Sequence, residues 1–259
     1  MVSPLSMQAD SPLQDDRRSL KVNRLLRTAA LSALATLSLQ PSPGYAQEPT
    51  KQRMWSHFLA AADVQAAVIR GDLEATKEPA AWLAEYDEQG LPDGSEAFLR
   101  ELQRAGARVV EATTIEAAGA ATGHIAAACG SCHREYYPGM EPTGNVEPPP
   151  GEDSDVAAHM ARHAWAADRL WEGLVLPSNP AWEEGADAFA GVPLATDDLA
   201  FDNPEGVRAL ANRTHELGRR AGLETEPSLR ARTYGELIST CAACHQMTGQ
   251  EPAIEKLDW

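Results

Sequence analysis

Residues 115–137 read IEAAGAATGHIAAACGSCHREYY. The pattern predicts one helix over Ile115–Tyr137, with Thr113, Thr114 and Glu116 suited to its N-terminus. Late in that helix stands Cys129-Gly130-Ser131-Cys132-His133. Residues 138–151 follow at once as Pro-Gly-Met-Glu-Pro-Thr-Gly-Asn-Val-Glu-Pro-Pro-Pro-Gly. Proline has a fixed φ and no amide hydrogen, so this stretch is neither helix nor core strand and reads as a stiff, extended linker. The first folding unit therefore ends on its chemical motif.

Upstream of that helix the pattern stays helical. Met54–Arg70 (MWSHFLAAADVQAAVIR) places Met54, Phe58, Ala61, Val64 and Val68 at helical spacing, and Gly71-Asp72 supplies a stop and a restart. Leu73–Tyr86, which Pro79 should kink or shorten, and Ser95–Ala112 complete four helices within 47–137. β-branched residues are sparse and alternation is absent, so a sheet has no support. Short turns between the helices predict an up-down-up-down bundle.

Beyond the linker the plan repeats over 152–259. Val156–Val175, Glu183–Ala190, Pro204–Gly222 and Pro227–Gln246 are the helical segments, and Cys241-Ala242-Ala243-Cys244-His245 lies late in the last. Met160-x-x-His163 echoes Met54-x-x-His57 at the head of the unit. His57 precedes His133 by nearly the same interval as His163 precedes His245, which marks an internal duplication. The expected fold is all-α, two tandem four-helix bundles, each able to fold alone and held semi-rigidly apart by the linker. The second copy's extra length, Ala190–Phe201, receives no role.

Both motifs match Cys-x-x-Cys-His, the attachment signal for c-type haem. The two thiols add to the two porphyrin vinyl groups, and the next residue, His, is then set under the iron. Cys129, Cys132, Cys241 and Cys244 are the four cysteines of the chain, so none is left over. A four-cysteine zinc site would have to join two distant pairs that lie in separate helical units. A thioredoxin-like pair expects a βαβ setting, and a structural disulfide leaves the following His unexplained. The expected cofactors are two covalent haems, with His133 and His245 as proximal iron ligands.

The small c-type fold has its motif near the N-terminus and draws a Met from far downstream. Here only the short stretch Gln246–Trp259 follows His245, and its single Met, Met247, is too close to reach the other haem face. A motif late in the fourth helix instead resembles the cytochrome c′ family, including its low-spin relatives. The resemblance rests on Ala128–Tyr137, on Thr240–His245 and on the helical heads at Met54 and Met160, and covers about 50–137 and 153–247. It departs after His245, where Gln246-Met247-Thr248-Gly249 replaces the basic and aromatic tail found after His133. The resemblance implies that the first helix covers the distal face of each haem. High-spin members keep that face open to small gases, whereas low-spin members place a Met there and transfer electrons. Met54 and His57 share a helix face, as do Met160 and His163, so each pair offers two candidate distal ligands. His124, His159 and His215 lack counterparts and read as surface or helix-face residues. Trp55, Trp82, Trp165, Trp171 and Trp182 are expected to fill the bundles.

The chain has 259 residues, and 22 basic against 38 acidic ones give a formal charge of −16. Such a surface repels phosphate backbones, which argues against nucleic-acid binding, and suits a basic redox partner. Residues 1–46 read as an export signal. Arg17, Arg18, Lys21, Arg24 and Arg27 precede an apolar core from Thr28 to Leu39, and Gly44-Tyr45-Ala46 offers cleavage near Ala46. No later run is long and apolar enough to span a membrane. Together these features lead to a periplasmic dihaem electron carrier rather than an enzyme, with homodimerisation left open. The alternative is a five-coordinate haem protein that binds nitric oxide or carbon monoxide. An absorption spectrum with added carbon monoxide separates the two.

Overall fold

Local signals fix most helix boundaries. In the computed structural model, which describes residues 47–87, 91–142, 147–149, 156–191, 201–250 and 252, eight helices form and no strand occurs among the described residues. They are α1 (Gln47–Arg70), α2 (Lys77–Glu85), α3 (Glu96–Glu111), α4 (Ile115–Tyr136), α5 (Val156–Val175), α6 (Asn179–Phe189), α7 (Pro204–Ala221) and α8 (Pro227–Thr248). Thr114 caps α4 by accepting from the Ala117 amide at 3.2 Å, as the sequence suggests. Gly71 ends α1 at φ +72°, a conformation that favours glycine. Pro79 falls in the first turn of α2, where a missing amide hydrogen costs nothing, so the helix starts late instead of kinking. Helix α6 begins earlier than its apolar pattern indicates, because Ser178 caps it and Pro180 sits in its first turn.

The expected export signal at 1–46 and most of the Ala190–Phe201 insertion lie outside the described residues. The described residues of 138–151 carry no helix.

Helices α4 and α8 form the centre of the molecule and pack on each other more extensively than any other pair. At the glycines of this contact, backbone meets backbone. A Cβ on Gly119 would meet the Gly235 carbonyl oxygen at 2.7 Å, and one on Gly123 would meet the Ala231 oxygen at 2.1 Å. Increasing number on α4 matches decreasing number on α8, so the pair runs antiparallel. One and the same offset along the chain carries Gly119 onto Ala231, Gly123 onto Gly235 and His133 onto His245. That offset exchanges the two close approaches, so the crossing has the local two-fold character that a duplication leaves.

The remaining helices interlock the halves. Helix α1 packs on α2, α4 and α8, and helix α5 packs on α6, α8 and α4. Gln65 of α1 donates to the Tyr234 hydroxyl of α8 at 2.6 Å, and Trp171 of α5 lies 5.8 Å from the same ring. Tyr234, Trp182, Leu170, Ile125 and Val64 are fully buried in one continuous core. This packing replaces the spaced arrangement expected from the linker: residues 42–259 cluster as a single unit. The glycines of the crossing are the reason. Without side chains they let two helices meet at backbone distance, and hydrophobic periodicity does not register that. Trp171 and Trp182 are buried as expected, whereas Trp55 and Trp82 are about two-fifths exposed.

Candidate functional site

Each Cys-x-x-Cys-His motif occupies the C-terminal turns of a central helix, α4 or α8. Because those helices are antiparallel, the motifs point to opposite ends of the molecule. At 1.5 Å rise per residue, Cys129 and Cys241 are about 24 Å apart along the axes, and His133 and His245 about 35 Å. Four thiolates therefore do not converge on one zinc ion, and the motifs define two separate sites.

All four cysteines are free thiols. Burial pushes the Cys129 and Cys241 thiols up to about 12, and the neighbouring cysteine adds to this. Burial raises Cys132 and Cys244 as well. A dithiol built for disulfide exchange needs the reverse, a stabilised thiolate. The motifs lack that electropositive setting.

The motif histidines are held in one tautomer. His133 Nδ1 lies 2.7 Å from the Val175 carbonyl oxygen, and His245 Nδ1 lies 3.1 Å from that of Gln250. A carbonyl only accepts, so Nδ1 carries the hydrogen in both rings. Nε2 keeps its lone pair, the arrangement a metal-ligating histidine needs.

The first helix of each half brings a second histidine to this place. His57 is 7 % exposed, and its Nε2 is buried with no hydrogen-bond partner. An unpaired buried ring nitrogen is costly unless something else takes its lone pair. Burial, and next the charge of His133, pull His57 down to about 4. His163 is pulled down to about 3 by burial, then by His159 and His245. In both halves the charge of the motif histidine thus reaches the first-helix histidine.

Met54 and Met160, one turn earlier, are each only partly buried. Aromatic rings frame the first site: Tyr86 stands edge-on to His57 at 3.9 Å, and Trp82 at 5.7 Å. In the second, His163 contacts Phe189 at 5.1 Å and His159 at 4.4 Å. His159, expected on the surface or on a helix face, lies on a helix face that is buried. It is 8 % exposed, because it sits one turn before His163 on the buried face of α5. That i, i+4 spacing was the available signal. His124 is exposed and His215 half-buried, in line with expectation.

The donor set fits a c-type haem: two thiols one turn apart, a fixed-tautomer histidine beside them and a first-helix histidine, which in the first site is buried with its Nε2 unpaired. Comparisons with protein-family models, curated proteins and solved structures give no match.

The depressed histidines give the unmodified, haem-free chain a defined acid sensitivity. Between pH 6.5 and 4 the unfolded chain protonates the residue at position 57 and the folded chain does not. Stability is therefore full above 6.5 and falls as pH drops toward 4, by about 3 kcal/mol for His57 alone. His57→Leu should flatten this part of the stability curve in urea titrations taken at several pH values.

Proposed function

We propose that the chain is an exported dihaem c-type cytochrome that carries electrons in the periplasm. It is built from two duplicated four-helix haem units, over 47–137 and 152–259, fused through α4 and α8. The observation that carries this reading is a first-helix histidine in each half that feels the charge of its motif histidine, His57 that of His133 and His163 that of His245, with the Nε2 of His57 buried and unpaired.

Cys129 and Cys132 would hold the first haem, and Cys241 and Cys244 the second. His133 and His245 would be the proximal ligands, and His57 and His163 the distal ones in preference to Met54 and Met160. When bound, each haem supplies one iron that gains or loses a single electron. The residues of the chain orient the iron ligands and, through the surrounding core, keep water from them. Two nitrogen ligands leave no open position for a gas, which favours the carrier over the gas-binding reading, and no substrate chemistry is assigned. With the motif histidines about 35 Å apart along the central helices, the two centres would lie at opposite ends of the molecule. The charge of −16 suits docking to a basic redox protein, with encounter rates that fall as salt rises.

Expression with the haem-attachment machinery and intact mass tests the cofactor directly. The expected mass is the polypeptide plus two haems. Changing both cysteines of one motif to alanine should remove one haem and leave the other. A mass equal to the bare polypeptide overturns the proposal.

A further inference from the structure

The two motif histidines do not have equivalent partners. His133 is bound by the carbonyl of Val175, the last residue of α5, which belongs to the other half of the chain. Carbonyls of the last helical turn have no partner within the helix and carry its partial negative charge. Val175 therefore offers a strong acceptor, and it does so at 2.7 Å. His245 is bound instead by Gln250, in its own exposed tail, at a longer 3.1 Å.

The place that the two-fold relation would give to an α1 carbonyl beside His245 is used differently. The neighbouring Gln246 donates to the Gly71 carbonyl at 3.1 Å. Gly130 makes the first arrangement possible. A Cβ there would meet the Leu174 carbonyl oxygen at 2.0 Å, so only glycine lets α5 end against the motif. The second motif has Ala242 at the same register.

From this asymmetry, and resting on the haem reading above, we infer that Val175 is the positioning acceptor for His133 and holds the first haem centre at a lower reduction potential than the second. A firmer hydrogen bond from Nδ1 makes the imidazole a better donor through Nε2, and a better donor stabilises ferric over ferrous iron. The second half of the chain thus sets the potential of the first half's iron.

The test uses the full-length holoprotein. In the unaltered protein, paramagnetic proton spectra should show a slowly exchanging Nδ1–H for His133 and a fast one for His245, and a redox titration should give two one-electron steps. Gly130→Ala should raise the lower step towards the upper, leave the upper in place and speed His133 Nδ1–H exchange by about tenfold, the effect of losing one hydrogen bond. Alanine is already present in the second motif, so haem attachment should survive, and intact mass verifies it. Two haems with equal Nδ1–H exchange in the unaltered protein overturn the inference, whether or not the variant folds. So does a folded Gly130→Ala protein whose lower step stays put. Failure to carry haem at all would instead overturn the functional reading.

Discussion

His57→Leu is expected to convert the first haem of the holoprotein from six-coordinate low spin to five-coordinate high spin and to open its ferrous form to carbon monoxide, with the second haem unchanged. The ground is the buried, unpartnered Nε2 of His57, a residue that feels the charge of His133. Leucine fills a similar volume and supplies no lone pair, so the core should hold while the ligand is lost. Met54→Leu is the control. Met54 is only partly buried, one turn away from His57, and its loss should leave the spectrum as it was. His163→Leu should repeat the result at the second haem, and the double variant should bind the gas at both. A His57→Leu protein that stays low spin while Met54→Leu turns high spin would assign the ligand to sulfur.

The second large effect lies at the crossing of α4 and α8. Gly123→Ala should destabilise the whole molecule by about 3 kcal/mol, the upper end of overpacking costs, because its Cβ would meet backbone at 2.1 Å and no side chain can yield. For a unit of this size that corresponds to a fall of about 10 °C in Tm. Gly139→Ala is the contrast: a Cβ there meets nothing within 4 Å, so its cost should be only the strain of a positive φ, about 1 kcal/mol. By the same reasoning, residues 47–140 and 152–259 expressed separately should fail to fold cooperatively, since each would expose the glycine face of its central helix. Thermal melts followed by circular dichroism read both outcomes. A half that melts cooperatively on its own would restore the modular arrangement expected from the linker.

That linker shows where reading the sequence stops. The eight helices were legible because stop, cap and spacing are local: Gly71, Thr114 and the apolar repeat of α1 each act within a few residues. The two motifs were legible because Cys-x-x-Cys-His is a pattern of adjacent positions. How the halves meet was not. It turns on Gly119, Gly123 and Gly235, and a glycine in a helix reads as a weak helix former until its neighbour is known to be another backbone. The choice between Met54 and His57 was likewise open, since both lie on one helical face and both recur. Their rotation about α1 separates them, with His57 turned into the core and Met54 towards its edge. For His159 the sequence left surface and helix face open: it has no counterpart in the first half, so recurrence gave no cue, and its i, i+4 spacing to His163 was the one local signal for the buried face.

The most direct test of two histidine-ligated haems is the absorption spectrum of the purified, full-length holoprotein, oxidised and reduced, before and after carbon monoxide. Low-spin bands are expected from both haems in both states, unmoved by the gas at neutral pH. A high-spin ferric spectrum that shifts as soon as carbon monoxide meets the reduced protein would contradict histidine ligation of both, leaving the first-helix histidines without a ligating role and the molecule a gas binder.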